Sequence, residues 1–339
     1  MPEKAPDIQP DPPVEIHRIL DGDVMAGAGL IRRIEAGDPA AARVLGQLHP
    51  YAGKGFVIGI TGPPGAGKST LISALITMFR KNEFTVGVVA VDPSSHKTGG
   101  AVLGDRVRMQ SHAGDKGVFI RSMAARGAVG GLARATRDTC LVLDAMGYNI
   151  IIVEPVGSGQ ADIDISTMVH SLCLVAIPGT GDGIQSVKAG VLEAADLFVV
   201  NKNDLPGAQA EVLTLENLVA MRSSAPEDWQ PLVVGTCART GQGVDRLADL
   251  FLDHRQFMKD NRLLERKQTS QAGEYFNTLV RQMVMDRIDP WIGRQVTAFL
   301  GTTAQKAEVA ADPYQKAREL ADRLTRGLGE SGSVEQEGE

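Results

Sequence analysis

The 339-residue chain carries 41 acidic and 35 basic residues, a formal net charge of −6, so no bulk attraction to nucleic acid or an anionic membrane is expected. With 43% hydrophobic and 22% charged residues it has ordinary globular composition, with length for one large domain plus appendages. No window approaches an unbroken apolar run of roughly 20 residues, and the acidic, proline-rich start MPEKAPDIQPDPPVEIH is unlike an export signal, so neither membrane insertion nor secretion is indicated.

Residues 1–13 hold five prolines and little that could be buried, which predicts a disordered arm. From Val14, apolar residues at helical spacing (Ile16, Ile19, Leu20; Leu30, Ile31, Ile34; Ala41, Val44, Leu45) predict a helical extension over 14–53. Residues 54–256 then alternate strands with helices: GFVIGIT and a helix from Gly67, TVGVVAVD, GVFIRS and a helix through Ala133 to Met146, NIIIVE, SLCLVAIP, DLFVVNK and PLVVGT. This alternation predicts an α/β fold, a mainly parallel sheet covered by helices on both faces, and the unbroken Val and Ile runs suit strands buried on both sides. After Gly243 the strand pattern stops. Residues 257–328 read as a helical extension, core cap or dimerisation arm, with a break expected at DPWIGR, 289–294, and 329–339 as a disordered tail. The cysteines Cys140, Cys173 and Cys237 are unclustered, which suits a reducing cytosol.

The most informative stretch is GITGPPGAGKSTLISAL. Gly62, Pro63, Pro64, Gly65, Ala66, Gly67, Lys68 and Ser69 fit G-x-x-x-x-G-K-[ST] between an apolar strand and a helical pattern, the context that a phosphate-binding P-loop requires. The glycines let successive backbone N–H groups curl around phosphate oxygens, and the new helix adds its positive end. Lys68 is expected on the β- and γ-phosphates, Ser69 on Mg²⁺ and Thr70 near the α-phosphate.

Carboxylates at strand ends supply the rest of a nucleotide site. Asp92 ends an apolar run and is delivered to the edge where phosphates sit, able to hold Mg²⁺ through water, or alternatively to cap the turn before Pro93. Asp105 follows a loop with three glycines; it reads as a partner of Mg²⁺ or of the attacking water, or as a plain helix cap. Glu154 ends the strand NIIIVE, and Gly157 three residues on can donate its N–H to a γ-phosphate. VVNKND matches the N-K-x-D guanine clamp: Asp204 accepts from guanine N1–H and the exocyclic amine, a donor pair that adenine lacks, for a discrimination of roughly 10⁴. Asn201 braces the loop, the Lys202 stem lies along the base, and the backbone of Cys237, Ala238 and Arg239 in TCARTGQG covers it.

In order along the chain, AVDPSS, TGGAVLGDRVRM, GGLARATRDT, VEPVGSGQ, PGTGDGIQSVKAGVLEAADLFVVNKND and CARTGQG resemble the MeaB/ArgK/MMAA family of P-loop GTPases, over about residues 55–255. The resemblance implies a GTP-hydrolysing chaperone, or metallochaperone, of an adenosylcobalamin-dependent acyl-CoA mutase. It implies a homodimer, Mg²⁺ with GTP or GDP as ligand, and adenosylcobalamin carried by the partner mutase. It also implies catalytic roles for Lys68, Asp92, Asp105, Glu154 and Gly157, metal contacts from Ser69, Asp92, Asp105 and Glu154, and a mobile switch segment from Gly157 to about Met168. The chain departs from the family pattern at Ser122–Gly131, at SGQAD and at Cys237, where a Ser or Thr is usual. A small-molecule P-loop kinase and a nickel or zinc insertase are the alternatives; the guanine clamp opposes the first and the scattered Cys and His residues the second.

Overall fold

A computed structural model describes residues 14–92, 109–112, 114–124, 129–155, 165–179, 189–222, 225, 228–301, 306 and 309–331. Seven strands form one sheet: β1 (Phe56–Thr61), β2 (Val86–Asp92), β3 (Val118–Ala124), β4 (Ile150–Glu154), β5 (Ser171–Ala176), β6 (Leu197–Val200) and β7 (Leu232–Gly235). Their order is β3-β2-β4-β1-β5-β6-β7, and every neighbouring pair runs parallel. The α/β class, the parallel sheet and the strand positions expected from the Val and Ile runs are all present.

The two-residue period of the strands divides the core between two faces. Phe56, Ile58 and Ile60 of β1 pack with Leu71, Ile72, Leu75 and Phe79 of α4 (Lys68–Lys81) and with Leu247 and Phe251 of α8 (Val244–Asp260). Val57 faces the other way, as do Ile151, Val153, Leu172 and Leu174, toward α5 (Val129–Ala145). The remaining helices of the alternating region are α6 (Ala189–Ala194) and α7 (Ala208–Ala220).

Three N-terminal helices complete that second face: α1 (Val14–Leu20), α2 (Val24–Glu35) and α3 (Pro39–Leu48). Asp23 starts α2 by accepting the N–H groups of Met25 and Ala26, and Asp38 starts α3 by accepting that of Ala40, with Pro39 in the first turn where its missing N–H costs nothing. Ile16, Ile19, Leu30, Ile31 and Leu48 are fully buried in one cluster with Val142, Leu143 and Met146. At the end of α5 the Asp144 carboxylate accepts three successive N–H groups, from Gly53 at 2.6 Å, Lys54 at 3.1 Å and Gly55 at 2.8 Å. This fixes where β1 begins, and so where its far end delivers the glycine loop.

The chain divides into two compact units, one ending at Thr269 and the next beginning at Ser270. The break expected at 289–294 is absent. Helix α9 runs continuously from Leu263 to Phe299 with Pro290 inside it, and α10 (Pro313–Ser331) follows. A proline removes one hydrogen bond, here to the Asp286 carbonyl; both residues are exposed, so water can take that carbonyl and the helix continues.

Candidate functional site

The glycine loop leaves the carboxyl end of β1 and enters α4 at Lys68. Gly62, Gly65 and Gly67 have φ of +144°, +77° and +86°, a region in which side chains are strained. Gly62 has a second constraint. A Cβ there would lie 2.2 Å from the Val175 carbonyl oxygen at the end of β5, so the loop can turn over that strand only with glycine.

Lys68 is 8% exposed, and its Nζ donates to the carbonyls of Gly62 at 2.9 Å and Pro63 at 3.3 Å, which holds the ammonium inside the loop's curve. Ser69 donates its hydroxyl to Glu154 Oε1 at 3.0 Å, and both residues are buried. Because β4 lies beside β1, the last residue of β4 reaches the first turn of α4. Two hard oxygen donors this close at the sheet edge fit Mg²⁺, which takes oxygen ligands and keeps several waters. Ala90 pairs with Glu154, so Asp92 stands two residues further along the same edge. The Asp92 side chain, Asp105, Gly157 and the segment 157–164 lie outside the described residues.

On the other side of β5, β6 delivers the second motif. Asn201 is 2% exposed; its Nδ2 donates to the Ala66 carbonyl at 2.8 Å, while its Oδ1 accepts the Ala238 N–H at 3.1 Å and the Thr236 hydroxyl at 3.3 Å. One side chain therefore joins the glycine loop, its own strand end and the loop after β7. Lys202 has φ of +57°, left-handed backbone in a residue with a side chain, as strained positions at binding sites often are. Asn203 donates its N–H to the Thr236 carbonyl, and Asp204 follows on the exposed rim.

The loop 236–243 folds on itself. Cys237 donates its N–H to Gln242 and accepts from Thr240 and Gly241, and Gly243 at φ +74° passes so close to Gly235 that a Cβ would meet its carbonyl oxygen at 2.3 Å. The Cys237 thiol and Asp204's own backbone N–H hydrogen-bond the Asp204 carboxylate, which with the charges of Arg239 and Lys202 holds it below the usual carboxylate range. Arg239 Nη2 stands 3.3 Å from Asp204 Oδ2. That side-chain pair, like the Asp144 clamp on residues 53–55, lies beyond sequence reading, because its partners are 35 residues apart and the motifs that hold them say nothing of a contact between their side chains.

The structure thus brings together the loop Gly62 to Thr70, Glu154, Asn201 and the segment Cys237 to Arg239, with Asp204 at the rim. A solved structure described as the LAO/AO transport system kinase shares this fold, with a TM-score of 0.68 and 24% identity, over 92% of this chain and 96% of that one. A Pyrococcus abyssi protein named as a GTPase is 41% identical over 315 residues, 92% of this chain and 96% of its own. GTPase ArgK of Escherichia coli is 31% identical over 280 residues, 80% and 85% of the two chains. The family model described as Methylmalonyl Co-A mutase-associated GTPase MeaB matches residues 28–290. The chain belongs to the MeaB family of GTPases.

Proposed function

We propose that this protein binds and hydrolyses GTP and, through the nucleotide state, acts as a chaperone of an adenosylcobalamin-dependent acyl-CoA mutase, gating cofactor loading and protecting or reactivating the mutase. The observation that carries the nucleotide half is Asn201, whose side chain ties the phosphate loop to the N-K-x-D segment and the loop after β7. The mutase half rests on the family description, which names methylmalonyl-CoA mutase.

In this reading the N–H groups of Gly62 to Thr70 and the Lys68 ammonium bind the phosphates, and Asp204 accepts from guanine under the cover of Cys237, Ala238 and Arg239. Ser69 and Glu154, together with Asp92 and Asp105, would hold Mg²⁺, and the ion would neutralise phosphate charge. Gly157 reports the γ-phosphate to the switch segment, and turnover stays slow until the mutase orders it. Residues 54–256 are the GTPase domain. Residues 257–328 are the dimerisation arm, a reading supported by the exposed apolar residues Phe276, Val280, Met283 and Val284 on α9. Among the described residues no helix is long and apolar enough to cross a membrane, and a cytosolic site of action fits the free thiols.

The deciding experiment measures phosphate release from GTP, with and without each purified adenosylcobalamin mutase, beside GTP-dependent loading of adenosylcobalamin onto that mutase. Stimulated hydrolysis coupled to loading is expected. Fast hydrolysis alone, indifferent to every mutase, would overturn the chaperone role; phosphorylation of a small acceptor with ADP as product would overturn the GTPase role as well.

A further inference from the structure

The rim of the base site contains a contact that the clamp chemistry does not need. Arg239 has a side chain 82% exposed, free to extend into water, yet its Nη2 lies 3.3 Å from Asp204 Oδ2. On the guanine reading, Asp204 must offer its carboxylate oxygens to two donors of the base at once, N1–H and the exocyclic amine. A guanidinium on Oδ2 takes one of those places.

The groups around Asp204 differ in whether they can yield. Cys237 is 2% exposed and is pinned through its N–H to Gln242 and through its carbonyl to Thr240 and Gly241, so the thiol beside the carboxylate stays where it is. The Lys202 backbone is fixed in a left-handed turn that Leu205 closes by donating to the Lys202 carbonyl. Arg239 makes one long contact and no other side-chain hydrogen bond among the described residues. Its guanidinium can swing away without breaking the loop.

We propose that Arg239 and a guanine base compete for Asp204 Oδ2, so that Arg239 gates the base subsite and lowers guanine-nucleotide affinity. This rests on the guanine reading of Asp204. An exposed ion pair is weak and screened by salt, so the penalty is small, about two- to fivefold in affinity, and fades as ionic strength rises. A gate of this strength stabilises the empty site and so favours release over entry, which suits a protein that must exchange nucleotide without holding it permanently.

The test is titration of fluorescently labelled GDP into the full-length protein and its Arg239→Gln and Arg239→Lys variants, at roughly 50 and 500 mM KCl. Arg239→Gln is expected to bind GDP about two- to fivefold more tightly than the unmodified chain at low salt, with the two converging at high salt. Arg239→Lys keeps the charge and is expected to stay near the unmodified value. Equal or weaker GDP binding by Arg239→Gln at low salt would overturn the gate, since the arginine would then be a spectator or a support for the base. Competition by unlabelled ADP separates the two levels: an unmodified protein that binds ADP as well as GDP loses the guanine reading and the gate together.

Discussion

Asn201 donates its side-chain amide to the Ala66 carbonyl at 2.8 Å across 135 residues of sequence, a bond that ties the glycine loop to the N-K-x-D segment. The same side chain receives Ala238 N–H, so three loops share one buried residue. Asn201→Ala leaves the buried Ala66 carbonyl without this partner, at about 1–3 kcal/mol, and the Ala238 N–H, which is part-buried, at less. GDP affinity is expected to fall tenfold or more, with a lower melting temperature, in parallel fluorescence titration and thermal unfolding. Full GDP affinity in that variant would refute the brace.

Gly62 tests the phosphate loop by sterics alone. Its φ of +144° disfavours any side chain, and the Val175 carbonyl oxygen 2.2 Å from the Cβ position is backbone that cannot move aside. Gly62→Ala must therefore displace the loop from β5, and loss of GTP and GDP binding is expected. Gly46 is the control, because a Cβ there meets nothing within 4 Å and Gly46→Ala is expected to leave nucleotide affinity unchanged.

These two residues also mark what could be read from the chain and what could not. The P-loop and the N-K-x-D run are contiguous, so their chemistry is visible in a few adjacent letters, and the strands that deliver them announce themselves as Val and Ile runs because both faces are buried. The helical spacing of Ile16, Ile19, Leu30 and Ile31 marks buried faces, but nothing in it says that they close onto Val142 and Leu143 of α5. Contacts between distant single residues, Asp144 with Gly53 to Gly55 or Arg239 with Asp204, have no local signature at all. The expected break at Pro290 failed for another reason: one missing N–H on an exposed helix face is a small cost that water can meet.

Guanine selectivity is predicted to reside in the Asp204 carboxylate. Its ionised form is favoured by the Cys237 thiol, by its own N–H and by the Arg239 and Lys202 charges, so it remains an acceptor through the neutral range. Asp204→Asn replaces one acceptor oxygen with an amide donor that faces N1–H and the exocyclic amine. GTP binding is expected to weaken by 10² or more, and xanthosine triphosphate, which presents an acceptor at that position, to bind better than it does to the unmodified chain. A variant with unaltered preference between the two nucleotides would remove Asp204 from the base site.

The last prediction concerns the opposite edge of the sheet and follows from His170. Its Nδ1 accepts the Val57 N–H at 3.0 Å, its ring stacks on Phe56 at 5.7 Å between centroids, and its backbone carbonyl takes the Lys267 ammonium. Burial first, then the nearby positive charges of Lys267 and Arg255, push the imidazole down from 6.5 to about 3. Protonation would also turn the Nδ1 acceptor into a donor aimed at another donor. With the folded value lowered, the unfolded chain takes the proton first, so the contribution is fully present above about pH 6.5 and is lost as pH falls toward 3. His170→Asn keeps an acceptor for Val57 and removes the titration. Between about pH 7.5 and pH 5.0 the unmodified protein is expected to lose about 2 kcal/mol relative to this variant in denaturant unfolding, from a slope near 1.4 kcal/mol per pH unit below 6.5. The comparison cancels titrating groups remote from His170, because they are common to both chains. A stability gap that does not change with pH would mean that the ring is not held neutral by burial.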